Sequence, residues 1–202
     1  MIENYAEYEG NKIKFRVPEK WEDVSFKDFV MFFKNQKDID YVLSVITGLP
    51  LDFICNPIYS EFSGKLLKCI SDLGGMPNLK KPPKGLWRYK DQSVNIKLDN
   101  FQWTVSLGQQ VDAMHYIQSV TKKDEEGNNI PLTDEETMSI FPNVCAIFMQ
   151  PYLIGKKRDE YDSTRWKYDN IESQKLVEYF NNYNFVDLVR LGGFFLNKLQ
   201  RL

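Results

Sequence analysis

Histidine is nearly absent from this chain of 202 residues, in which His115 stands alone. A lone imidazole cannot build a His cluster for a metal. His115 also sits between Met114 and Tyr116, with no Ser, Cys or Asp spaced to form a relay, and reads as a structural histidine. Cysteine is scarce too. Cys55, Cys69 and Cys145 are odd in number and irregularly spaced, with no Cys-x-x-Cys, so neither a zinc motif nor a disulfide framework can be written and buried free thiols are expected. No run approaches the ~18 uninterrupted apolar residues of a membrane-spanning helix. The opening Met1-Ile2-Glu3-Asn4-Tyr5-Ala6-Glu7 carries acids where a secretion signal carries Lys or Arg, so a soluble protein of a reducing compartment is expected. A net charge of −2 supplies no global field for nucleic acid or an anionic membrane. Glycine-rich phosphate loops are also missing. Gly74-Gly75 follows a helical stretch instead of preceding one, the wrong polarity for cradling a phosphate.

What remains is a globular composition, 43% apolar with 14% aromatic, in a length that buries a real core. The alternation of Ile13, Phe15 and Val17 with Lys12, Lys14 and Arg16 predicts a strand over 12–17 that Pro18 ends. Ser25 and Asp28 predict a capped helix with Phe26, Phe29, Val30 and Phe33 on its inner side. Further helices are expected from Asp38 to Gly48, over 51–55, and from Pro57 with Ile58, Phe62, Leu66, Cys69, Ile70 and Leu73 as the inner stripe. The proline-rich stretch 76–85 divides a first half, 1–75, from a second, 86–202, and the whole is expected to form one compact unit.

In the second half, 87–90 and 94–98 read as a hairpin turning at Asp91-Gln92. Ser106 with Gln109 opens a helix whose inner side is marked by Val111, Met114, His115 and Ile117. Thr133 with Glu136 opens another, which Pro142 disturbs, leaving one helix or two short ones. The stretches 173–180 and 185–199 close the chain, and Gly192-Gly193 inside the last helix implies close backbone packing. The fold class is therefore mostly α, two antiparallel helical bundle-like halves with short strands near 12–17 and 86–98. A weak duplication is suggested by Trp21-Glu22-Asp23-Val24-Ser25 and Trp103-Thr104-Val105-Ser106, although capping chemistry alone also makes such a match.

The acid pairs Glu125-Glu126 and Glu135-Glu136 sit in a loop and at a helix start, where the helix dipole stabilises negative charge and hydrolase chemistry is not favoured, and Asp159, Glu160 and Asp162 lack calcium-loop spacing and read as solvated. No catalytic, cofactor-binding or metal-binding residue is assigned, and an enzyme is the class these residues support least. Two basic and aromatic clusters stand out: Lys80, Lys81, Lys84, Trp87, Arg88, Lys90 and, separately, Lys156, Lys157, Arg158, Arg165, Trp166, Lys167. Nucleic acid is a possible partner of the first but not the favoured one. Acids interleave the second, which favours a protein interface.

Three segments carry a resemblance: Val17-Pro18-Glu19-Lys20-Trp21-Glu22-Asp23-Val24-Ser25, Leu43-Ser44-Val45-Ile46-Thr47-Gly48-Leu49-Pro50, and Phe185 to Leu199 with Gly193-Phe194-Phe195-Leu196. Together they resemble small virion or assembly proteins of tailed bacteriophages of Bacteroidetes hosts, including crAss-like phages. The match covers both ends and is loose between them, and its motifs are caps, turns and apolar stripes. The resemblance implies a non-enzymatic neck, ring or tail-connector subunit, present in the host cytoplasm during assembly and then in the virion. Its partners would be copies of itself and other virion proteins such as portal, neck or tail subunits, with no membrane and no cofactor. A tail-assembly chaperone is the alternative, and a nucleic-acid-binding accessory protein a second one. The interface is expected at Trp87, Arg88, Tyr89, Phe101 and Trp103 and at Lys156, Lys157, Arg158, Arg165 and Trp166.

Overall fold

A computed structural model describes residues 2–35, 37–73, 77–90, 92–95, 106–154 and 168–199. The protein is mostly α-helical, with two short antiparallel hairpins among the described residues. It divides into two compact units, Met1–Asn78 with Asn182–Val186, and Leu79–Asn181 with Asp187–Leu202. The expected second half is thus not continuous, because residues 182–186 belong to the first unit.

The first unit opens with β1 (Ile2–Tyr8) paired to β2 (Asn11–Val17). The two residues between them, Glu9 and Gly10, have φ of 51° and 76°, the left-handed pair that a tight hairpin turn requires. Helices α1 (Phe26–Lys34), α2 (Ile39–Thr47), α3 (Leu51–Cys55) and α4 (Ser60–Ser71) follow. The Ser25 hydroxyl accepts from the Asp28 N–H at 3.2 Å, and Asp38 caps α2 by accepting from Tyr41 N–H at 3.0 Å. Gly48, at φ 79°, ends α2 in the left-handed conformation that favours glycine. Phe15, Leu43, Ile46, Phe53, Leu66 and Ile70 share one core cluster.

A second aromatic group gathers at the returning turn. Phe29 stacks on Phe185 with centroids 3.9 Å apart, and Trp21 meets Phe185 edge-on at 5.6 Å. Main-chain bonds from Phe26 N–H to Tyr183 O (2.7 Å) and from Phe185 N–H to Val24 O (3.0 Å) hold 182–186 in place. Two expectations for this unit are corrected. Pro57 starts only a single 3-10 turn, and Ile58 is 83% exposed because it precedes the register of α4. Cys55 and Cys69 are exposed, so of the three thiols only Cys145 is buried, and burial pushes its pKa up.

The second unit contains β3 (Leu86–Tyr89) and β4 (Gln92–Asn95), then α5 (Leu107–Val120), α6 (Asp134–Leu153), α7 (Asn170–Asn181) and most of α8 (Phe185–Leu199). The hairpin closes on the pair Tyr89↔Gln92, one residue earlier than expected, with Lys90 at φ 52° taking the turn. Both capping boxes form, at Ser106/Gln109 and Thr133/Glu136. Helix α6 is unbroken despite Pro142 and Pro151. Burial from Ile140 to Leu153, interrupted at Asn143 and Tyr152, explains why packing overrides the lost N–H donors.

Helix α5 turns differently from the expectation. Gln109 and Ala113 face inward, while Val111 (57% exposed), Met114 (41%) and the exposed His115 face out. The physical reason is the Gln109 amide, which donates to the Ile147 carbonyl of α6 at 3.0 Å and takes a core position that apolar periodicity assigns to its neighbours. No helix is long and apolar enough to cross a membrane among the described residues.

Candidate functional site

Trp87 was expected at an interface, and its position corrects that. It is fully buried, its indole N–H donates to the Lys84 carbonyl at 2.8 Å, and its ring meets Phe180 edge-on at 6.3 Å. A ring with its only polar atom satisfied internally is a core anchor for the hairpin. Tyr89 meets Tyr179 at 5.1 Å, and the Tyr179 hydroxyl donates to the Arg88 carbonyl. The Arg88 side chain is exposed, and the Lys90 ammonium lies 5.3 Å from the Tyr89 centroid. Phe101, Trp103, Lys156, Lys157, Arg158, Arg165 and Trp166 lie outside the described residues, as do Asp159, Glu160, Asp162 and most of the second tryptophan motif.

The stretch that reads as a linker is anchored to α8. Pro83 is buried, and the Lys84 ammonium lies 2.9 Å from the Asp187 carboxylate, which is 2% exposed. Arg190 approaches the other oxygen of that carboxylate at 3.8 Å. Just before this anchor, residues 79–83 and the outer side of α8 frame a cleft of about 530 Å³. Lys80, Lys81, Arg190 and Lys198 line it together with Gly193 and Phe194. The Lys198 ammonium lies 5.7 Å from the Phe194 ring centroid.

The two glycines of α8 differ. A Cβ on Gly192 would stand 2.5 Å from Phe141 Cδ1 and 2.6 Å from Cγ, so close helix approach explains that residue. Among the described residues a Cβ on Gly193 would meet nothing within 4 Å, and its φ is not left-handed. Neither packing among the described residues nor backbone conformation demands the second glycine.

A different surface lies on α5. Leu107 (75% exposed), Val111 and Met114 recur at i, i+4 and i+7, an apolar stripe on the side turned from α6. On an adjoining side the Tyr168 hydroxyl donates to Asp112 at 2.6 Å, and burial together with that bond raises its pKa. In the first unit an apolar recess of about 270 Å³ opens between α2 and α4, where Ile39, Leu43 and Leu67 line it.

The acid groups have local roles. Asp124 accepts from the N–H groups of Asn128 (2.8 Å) and Glu126 (3.0 Å), which lowers its pKa and shapes the loop. Glu136 is paired with Lys122 at 2.7 Å and bonded to Thr133, which together bring its pKa from the ordinary 4.5 down to about 2. Among the described residues no group of three His, Cys, Asp or Glu is placed to hold a metal ion.

Sequence reasoning noticed Lys80 and Lys81 but missed Arg190 and Lys198 as their neighbours. The signal was faint: residues 190, 193, 194, 197 and 198 share one side of a helix, and that side alone carries glycine among cations. Comparison with protein-family models, curated proteins and solved structures gives no match.

Proposed function

We propose that this chain is a non-enzymatic structural subunit of a tailed-phage virion, of the neck, ring or tail-connector kind, acting through protein–protein interfaces. The observation that carries the reading is the α5 stripe. Leu107, Val111 and Met114 lie exposed on a helix whose opposite side is fixed to α6 through the bond from Gln109 to Ile147. Apolar side chains in a row on a rigid element suit a partner surface. A ring subunit needs such a face, because its contacts are heterologous and one surface must complement a different one on the next copy. The resemblance of both chain ends to virion proteins of Bacteroidetes phages supports the same reading, and its partners would be further copies and other virion proteins.

Mass spectrometry of gradient-purified particles tests it. The chain is expected there in many copies per particle. Its absence from finished particles, with abundant chain in infected cells, would instead support the assembly chaperone.

A further inference from the structure

We infer that the cleft between residues 79–83 and α8 is a binding site for an extended, carboxylate-rich peptide segment of a neighbouring protein. The inference that this neighbour is a virion protein rests on the function proposed above; the ligand class does not.

The charge of the cleft selects the ligand. Lys80, Lys81, Arg190 and Lys198 line it, and no carboxylate does among the described residues. The buried acid Asp187 is shared by Lys84 at 2.9 Å and Arg190 at 3.8 Å, so the charge offered to a ligand rests on Lys81 and Lys198. A lining that carries Lys81 and Lys198 and no carboxylate complements an anionic ligand. The volume of about 530 Å³ is ample for a short stretch of chain.

Gly193 supplies the second, independent argument. Glycine in a helix interior is unfavourable relative to alanine, and here no neighbouring atom of the described residues lies within 4 Å of where a side chain would begin. Its bare backbone lines the cleft, so a second main chain can approach α8 closely there. Asn197, also lining the cleft, carries both a donor and an acceptor for a peptide group. Pro82 and Pro83, on the opposite wall, have fixed φ and keep the recess formed before a ligand arrives.

The same features disfavour nucleic acid. A net charge of −2 gives no long-range attraction for a polyanion. The aromatic residue of the lining, Phe194, has the Lys198 ammonium 5.7 Å from its centroid, which competes with base stacking.

Fluorescence anisotropy with the full chain tests the inference, using a fluorescein-labelled peptide of alternating Glu and Leu, its Lys-Leu counterpart, and a labelled single-stranded oligothymidine. The Glu-Leu peptide should bind saturably and in a salt-sensitive way, and the Lys-Leu peptide should not. The double variant Lys81→Glu, Lys198→Glu should weaken that binding at least tenfold. Gly193→Leu should weaken it as much while leaving the thermal midpoint unchanged or raised, which separates a filled cleft from a damaged fold. Binding that survives both variants, or no binding at low salt, overturns the site. Tighter binding of oligothymidine, lost in the same variants, overturns the peptide in favour of nucleic acid. Because this is read on the isolated chain, its failure is distinct from absence of the chain from particles.

Discussion

The two sides of α8 in the second unit meet opposite surroundings. On one side Leu188, Leu191 and Phe195 are buried, Phe195 lies 4.9 Å from Phe148 of α6, and Gly192 has no room even for a methyl group beside Phe141. On the other, Arg190, Gly193, Phe194 and Lys198 border an open cleft. Identical residues at adjacent positions therefore serve different ends. At Gly192 the missing side chain lets two helices approach, and at Gly193 it leaves a surface bare.

Substitutions on the two sides should have different consequences. The largest effect is expected from Phe195→Ala, which empties a buried ring site and should cost about 3–5 kcal/mol in chemical denaturation. A loss below about 1 kcal/mol would mean that the α6-facing side is not a packed core. Gly192→Ala comes next, with an expected loss of about 1–3 kcal/mol, because the clashing partner Phe141 is itself only 5% exposed and cannot swing away. Gly193→Ala should have the opposite sign, a gain of up to about 1 kcal/mol from helix propensity. Equal effects at the two glycines would erase the contrast.

The smallest effect belongs to the exposed start of α6, the helix against which Gly192 rests. Glu136 has a folded pKa of about 2 against an ordinary 4.5. A depressed carboxyl stabilises the fold above the unfolded value, and that contribution is lost as pH falls from about 4.5 towards about 2. The stability difference between the wild type and Glu136→Gln should therefore be present at neutral pH and vanish across that window. A difference that persists below pH of about 2 would contradict the assignment to ionisation.

Features set by neighbouring residues were legible in the sequence. Ser25, Ser106 and Thr133 cap their helices, Gly48 ends α2, and the alternation around Phe15 makes a strand, because each depends on groups within four residues. What depends on distant partners was not. Strand β1 carries Asn4 among its alternating positions and is defined by its pairing with β2. The inward face of α5 is set by a hydrogen bond from Gln109 to a carbonyl 38 positions away. Trp87 has the composition of an interface anchor and the environment of a core one, fixed by Phe180 and Lys84. The cleft follows the same rule. Lys80 and Lys81 are visible as a cluster, but only tertiary folding sets them beside Arg190 and Lys198.

Zero-length carbodiimide cross-linking of intact particles reads the contacts of the cleft, since it joins a lysine to a carboxylate only where the two touch. Cross-links are expected from Lys80, Lys81 or Lys198 to aspartates or glutamates of a neighbouring virion protein or a second copy. Particles in which these lysines link only within their own chain, while other exposed lysines such as Lys65 link to neighbours, would contradict that expectation.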